Sequence, residues 1–174
     1  RHINFYQSMN IIEFINNIKK DGILPSFDVK MILSNFYNIE ISEIINFYAE
    51  EIKDGELAKL NLIIEERQKG KPVSKIFNKK YFWEYCFFVN ENVLDPRPDS
   101  EIMISEILKT YKNENLKILD LGTGSGCLII TILKLFSNFT GTAVDISDKA
   151  LEVAKLNSRK LEVFDRINFI KSNW

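Results

Sequence analysis

The stretch Leu119-Asp120-Leu121-Gly122-Thr123-Gly124-Ser125-Gly126-Cys127 constrains this chain more than any other feature. Three glycines at every second position follow a short apolar run over 116–121 and precede a helical apolar stripe over 127–136. A buried strand, a glycine turn and a helix form the unit at which α/β sheets bind ligands. Glycine allows the turn and lets a ligand approach the backbone with no Cβ in the way. Amides at the following helix start can bind acceptor groups. Two more strand-like runs, 140–146 and 167–171, enclose a helical pattern over 148–161 with Ala150, Val153, Ala154 and Leu161 inward. Strands alternating with helices predict a parallel sheet with right-handed crossovers.

The residues around the glycines narrow the ligand. A dinucleotide fingerprint needs glycine at 122, 124 and 127, but position 127 is Cys. No Gly-Lys-Ser/Thr follows, which excludes a phosphate-binding P-loop. Asp120, just before the loop, suits a ligand carrying an ammonium and a sulfonium rather than a pyrophosphate. Asp145 ends the next strand, 23 residues after Gly122. A carboxylate at that distance can accept hydrogen bonds from both hydroxyls of a ribose. Asn173 and Trp174 follow the third strand, where a polar side chain can read an adenine edge and an indole can pack on the base. Asp120, Gly122, Thr123, Gly124, Ser125, Gly126, Asp145, Asn173 and Trp174 therefore form the candidate site for a nucleoside cofactor.

The rest of the chain has a different texture. Up to about residue 69 the apolar period is helical. Ile11, Phe14, Ile15 and Ile18 make one stripe; Val29, Ile32, Leu33 and Phe36 make a second after a Pro25–Ser26 start. Ser42 is placed to cap a third helix carrying Ile44, Ile45 and Tyr48. Leu57, Leu60, Ile63 and Ile64 make a fourth, stopped by Gly70 and Pro72. These four stripes predict a small bundle over 1–75 that docks a partner or supports the fold. Between 76 and 98 seven aromatic or β-branched residues crowd together, from Tyr81 to Val89, with a break expected at 90–92. This segment is expected to be a β-hairpin linker packed against the bundle; basic partners for an aromatic nucleic-acid platform are sparse. Residues 99–174 form the α/β part. Its entry, Pro96-Arg97-Pro98-Asp99-Ser100-Glu101, is extended by its prolines. Asp99 or Ser100 is expected to cap the next helix. Arg97 and Glu101 are expected beside the cofactor pocket, with Arg97 pairing to a carboxylate.

Charge excludes little but points nowhere polyanionic. Residues 1–75 carry 10 basic and 11 acidic side chains, and residues 99–174 carry 10 of each. No direct nucleic-acid or membrane partner is expected from this balance, and no apolar run reaches the about 18 residues of a span. Cys86 and Cys127 lie far apart in no metal-ligand spacing, and His2 is the single histidine, so no metal site and no histidine acid/base chemistry are expected. Reduced thiols fit a cytoplasmic protein. Met9 is expected to be the natural start.

These residues, in this order, resemble the PrmC/HemK family of protein-glutamine methyltransferases. Gly70-Lys71-Pro72-Val73 is similar to that family's Gly-x-Pro hinge. The segment 96–101 is similar to its PRPDTE segment, 118–127 to its ILDLGTGSG loop and 143–147 to its AVDIS strand end. Asn173 stands where the family commonly has Asp, Asp95 where it prefers an apolar residue, and Asn78 where it often has Gly. The resemblance implies a helical domain, a hairpin linker and a Rossmann-like class I methyltransferase domain. It implies S-adenosyl-L-methionine as cofactor and, as substrate, the glutamine amide of the Gly-Gly-Gln motif in peptide chain release factors. Gly122 to Gly126 would line the cofactor's amino-acid end, Asp145 its ribose and Trp174 its adenine. The family's substrate-holding Asn-Pro-Pro-Tyr motif does not occur in the 174 residues, so the resemblance places no catalytic residue in this chain and implies an inactive fragment. Two other readings stay open: a fragment of an adenine-N6 type nucleic-acid methyltransferase, and a non-catalytic cofactor-binding or interaction module.

Overall fold

The structure, a computed structural model, describes residues 9–112 and 114–173. Contacts divide the chain into two compact units meeting between Phe77 and Asn78.

The first unit is built from amphipathic helices. Helix α1 (Ile11–Lys20) starts at Asn10, whose side chain accepts from the Glu13 amide while the Glu13 carboxylate accepts from the Asn10 amide. This reciprocal capping satisfies two otherwise orphaned donors. Helix α2 (Ser26–Tyr37) follows Pro25, whose fixed φ suits a helix entry. Helix α3 (Asp54–Gln68) ends before Gly70, which takes a positive φ of 91°. A short α4 (Val73–Ile76) follows Pro72. Ile11, Phe14, Ile15 and Ile18 of α1 share one core with Val29, Ile32 and Leu33 of α2 and Leu57, Leu60 and Ile64 of α3. Each such side chain stabilises the fold by about 1.5–3 kcal/mol when fully buried. Arg67 on α3 pairs with Asp28 on α2 at 2.9 Å.

Two features of this unit depart from the sequence reading. The third helix is a 3-10 segment, Ile41–Phe47, and Ser42 does not cap it. Glu40 holds the cap position, its amide donating to the Glu43 carboxylate. Only Ile44 of this segment is buried, so one inward side chain, rather than a full stripe, anchors it. The unit also contains a short antiparallel pair, β1 (Met9–Asn10) with β2 (Glu51–Ile52), in a region whose periodicity is helical.

The second unit begins with a hairpin, β3 (Lys79–Phe82) and β4 (Tyr85–Phe88). Its turn falls at Trp83 and Glu84, inside the aromatic run, and not at 90–92. The latter is a separate turn in which Asn90 Oδ1 accepts from the Asn92 amide. Trp83 adopts a positive φ of 54°, and the Glu101 carboxylate accepts from its amide at 2.7 Å. Phe82 and Phe87 are buried in the core of the α/β part with Ile104, Ile129, Ile130 and Leu133.

Helix α5 (Glu101–Thr110) follows a 3-10 turn at Pro98–Ser100. Neither Asp99 nor Ser100 caps it through a side chain, because Ser100 already has helical φ and ψ. Then β5 (Lys117–Leu121), α6 (Cys127–Leu135), β6 (Thr140–Asp145), α7 (Asp148–Lys160) and β7 (Ile167–Lys171) alternate. The strands form a parallel sheet in the order β5-β6-β7, the Rossmann-like α/β pattern expected. Ile118, Gly141 and Ile167 lie in register on the face that carries α6. A Cβ on Gly141 would lie 2.6 Å from Ile129 Cδ1, so the helix rests directly on the strand there. The expected full burial of β5 is not observed: Leu119 is 60% and Leu121 46% exposed. They alternate onto the face opposite α6.

Candidate functional site

The site lies where β5 and β6 end. Alternation along the strands puts Asp120 and Asp145 on the same face of the sheet. The loop between Leu121 and Cys127 is folded by its own backbone. The amides of Gly122 and Thr123 both donate to the Val144 carbonyl, at 2.8 and 2.9 Å, and the Gly126 amide donates to the Thr123 carbonyl at 2.8 Å. Gly122, Gly124 and Gly126 all have positive φ, a conformation that side chains other than glycine resist.

The three glycines serve different ends. A Cβ on Gly122 would meet nothing within 4 Å, and one on Gly124 only the Gly122 carbonyl oxygen at 4.0 Å. These two leave open space beside the backbone. A Cβ on Gly126 would lie 2.7 Å from Ile130 Cδ1 and 3.2 Å from Ala154 Cβ. Gly126 therefore permits close packing of the loop on α6 and α7.

Asp145 holds the loop from the side of β6. Its Oδ2 accepts from the Gly124 amide and its Oδ1 from the Ser147 amide, both at 2.9 Å. A carboxylate has about four lone-pair sites, so about two remain for a diol. Ser147 caps α7 by accepting from the Ala150 amide. Asp120 accepts from the Thr123 hydroxyl at 2.8 Å. Burial raises its carboxyl above the ordinary aspartate value, and nearby Asp145 pushes the same way. The Thr123 hydroxyl and the Ile129 amide, at the start of α6, oppose that rise. Burial likewise pushes the Cys127 thiol up to about 11; Cys127 and Cys86 are both free thiols.

The remaining candidates are placed unevenly. Asn173 is exposed beyond β7, close in sequence to Ser172, whose amide donates to the Asp145 carbonyl at 3.1 Å. Trp174 lies outside the described residues. Arg97 is exposed. Glu101 is committed to the hairpin turn at Trp83 and not to the loop. Thr123 and Ser125 are buried.

Sequence reasoning missed Asn157. This α7 side chain is fully buried and donates to the Ser125 carbonyl at 2.9 Å. The available signal was its position, three and four residues past Ala154 and Val153 on the inward stripe of α7, where an apolar residue is expected.

An open depression of about 420 Å³ lies at the other ends of the strands, lined by Lys117, Thr140, Asn168 and Arg166 among others. It is the wrong end of a parallel sheet for a ligand. The Arg166 guanidinium there is occupied by the carbonyls of Leu133, Phe136, Ser137 and Phe139 at the end of α6. Among the described residues no cluster of metal-ligating side chains occurs, and no helix is long and apolar enough to cross a membrane.

Residues 112–174 match a family described as a methyltransferase domain. The release factor glutamine methyltransferase of Caulobacter vibrioides is 33% identical over 91% of this chain and 56% of its own length. That of Buchnera aphidicola from Acyrthosiphon pisum is 33% identical over 86% of this chain and 54% of its own. A bifunctional methyltransferase of Rickettsia typhi is 33% identical over 95% of this chain and 36% of its own. A solved SAM-dependent methyltransferase from Geobacter sulfurreducens in complex with S-adenosyl-L-homocysteine is 30% identical over 44% of this chain and 30% of its own, with a TM-score of 0.38. The chain spans about half the length of the release factor methyltransferases it matches. The resemblance to the PrmC/HemK family, read from the motifs, is borne out by these release factor glutamine methyltransferases.

Proposed function

We propose that this chain is the S-adenosylmethionine-binding front part of a methyltransferase acting on the glutamine side-chain amide in the Gly-Gly-Gln motif of release factors. The observation that carries the reading is the junction of Gly124 and Asp145. A carboxylate at the end of β6 is fixed against a glycine-loop amide at 2.9 Å, with acceptor capacity left over. The donor set fits the cofactor: two lone-pair sites on Asp145 for a ribose diol, a carboxylate at Asp120 for an ammonium, and open backbone at Gly122 and Gly124 for close approach.

S-adenosylmethionine, when bound, supplies a methyl group on a positively charged sulfur. The residues of this chain then have positioning work. Asp145 orients the ribose through charge-assisted bonds. The glycine loop holds the amino-acid end, with Asp120 kept in place by the Thr123 hydroxyl. An amide nitrogen is a poor nucleophile, so alignment and exclusion of water carry most of the acceleration. The grip on the substrate amide belongs to an Asn-Pro-Pro-Tyr motif, absent from these 174 residues, and we assign no catalytic residue within them. The helical unit is assigned to recognition of the protein substrate. Release factor chemistry places the work in the cytoplasm, with no nucleic acid contacted directly.

The test is methyl transfer by the polypeptide translated from the full reading frame that carries this segment. Radiolabelled methyl should pass to a release factor with Gly-Gly-Gln and not to its Gly-Gly-Ala variant. Equal labelling of both, or labelling of DNA instead, would contradict the substrate assignment.

A further inference from the structure

Helix α7 carries a stripe that runs along the hairpin and the segment after it. Ala150 and Val153 are buried with Val89 and Val93. One and two turns on, Asn157 meets Phe88, and Lys160 Nζ donates to the Cys86 carbonyl at 3.0 Å. The spacing 150, 153, 157, 160 is one helical face. Asn157 is its fully inaccessible polar member.

Its amide is used on both sides. Oδ1 accepts from the Phe88 amide at 2.7 Å, and Nδ2 donates to the Phe88 carbonyl at 2.9 Å. To β4 the side chain thus presents the donor and acceptor that a neighbouring strand would. The second Nδ2 hydrogen goes to the Ser125 carbonyl at 2.9 Å. Three of the four hydrogen-bonding positions of the amide are filled. Ser125 follows Gly124, whose amide is held by Asp145. The glycine loop is therefore pinned from two sides, by Asp145 at one residue and by Asn157 at the next. The Asp145 contact is only partly buried, whereas the Asn157 contact is buried, where a hydrogen bond is stronger and its loss more costly.

We infer that Asn157 is a positioning residue for the cofactor loop, fixing the Ser125 carbonyl so that Gly122 to Gly124 stay in their ligand-receiving conformation, and tying that loop to the β3–β4 hairpin. This inference rests on the reading of the loop as the S-adenosylmethionine site.

The experiment uses the whole chain and S-adenosyl-L-homocysteine as probe. Asn157→Ala removes all three bonds; Asn157→Asp keeps the shape but sets a carboxylate oxygen against the Ser125 and Phe88 carbonyls. Ile104→Ala, in the core of the same unit, is the control for lost stability without lost loop contacts. Both Asn157 variants should weaken binding at least tenfold, measured well below each melting temperature, while Ile104→Ala stays within twofold. Amide exchange at Gly124 in the ligand-free protein should accelerate in the Asn157 variants more than in Ile104→Ala. Binding and exchange losses equal to those of the control would overturn the inference. So would failure of both Asn157 variants to fold where Ile104→Ala folds, since Asn157 would then serve folding alone. A folded wild-type chain that does not bind the probe would overturn the cofactor reading itself, while the exchange comparison would still decide whether Asn157 holds the loop.

Discussion

Replacing Gly126 by Ala tests whether the third glycine of the loop is there for packing rather than for a ligand. The added Cβ would sit 2.7 Å from Ile130 Cδ1 and 3.2 Å from Ala154 Cβ, on a backbone with φ of +79°. The left-handed conformation costs a non-glycine residue about 1–2 kcal/mol. Overpacking a filled core adds about 1–3 kcal/mol. The expected loss is the sum of the two, about 2–5 kcal/mol, a large share of the about 5–15 kcal/mol that holds a domain together. Gly122 has nearly the same φ, +78°, and nothing within 4 Å of its Cβ position. Gly122→Ala should therefore lose only the backbone part, about 1–2 kcal/mol. Urea denaturation followed by circular dichroism measures both, provided the m-value is unchanged. Ile130→Val removes the nearest clashing atom, so the Gly126→Ala/Ile130→Val double variant should recover about 0.5–3 kcal/mol as a coupling. Equal losses for the two glycine variants, with no coupling to Ile130, would refute the packing argument.

The partly buried carboxyl of Asp120 sets a pH dependence. Because burial raises it, the folded state binds more protons than the unfolded one, and stability falls as pH rises from the unfolded value through the folded value and stays lower above it. Asp120→Asn keeps an acceptor for the Thr123 hydroxyl, so thermal melts should show this acid-side decline reduced and the ligand-free protein relatively more stable at neutral pH; an unchanged decline would contradict the assignment. Cys127, with its thiol near 11, is about a thousandth thiolate at pH 8. Iodoacetamide followed by mass spectrometry should label it slowly in the native chain and readily in urea, and equal rates would show that the fold does not shield the thiol. Deleting residues 10–70 from the full reading frame's product should reduce methylation of an intact release factor far more than that of a short Gly-Gly-Gln peptide. A standard interface buries about 800 Å² per partner, beyond what one active-site mouth offers, and equal losses would mean that the helical unit supports the fold only.

The α/β half was legible because its signals are local. A glycine turn, a strand-end carboxylate 23 residues on and a period that switches between strand and helix need no knowledge of tertiary contacts. Tertiary contacts decided the rest. The hairpin turn was not visible in the sequence because Trp83 and Glu84 carry no turn chemistry. The turn is held instead by Glu101, 18 residues away, through the Trp83 amide. Aromatic crowding from Tyr81 to Val89 marked strands but not what they pack on; Phe82 and Phe87 entered the α/β core. Gly126 looked like its two neighbours until the positions of Ile130 and Ala154 gave it a different reason. Asn157 was invisible as a motif because its three bonds reach 69 and 32 residues back along the chain.

Calorimetric titration of S-adenosyl-L-homocysteine into the chain and its Asp145→Ala variant tests the central assignment most directly. Asp145 offers about two lone-pair sites beyond the Gly124 and Ser147 amides. Charge-assisted bonds to a ribose diol contribute about 1.5–3 kcal/mol each, so Asp145→Ala should weaken binding at least tenfold. A folded wild-type chain that takes up no S-adenosyl-L-homocysteine, or a variant that binds it as tightly as wild type, would contradict the account.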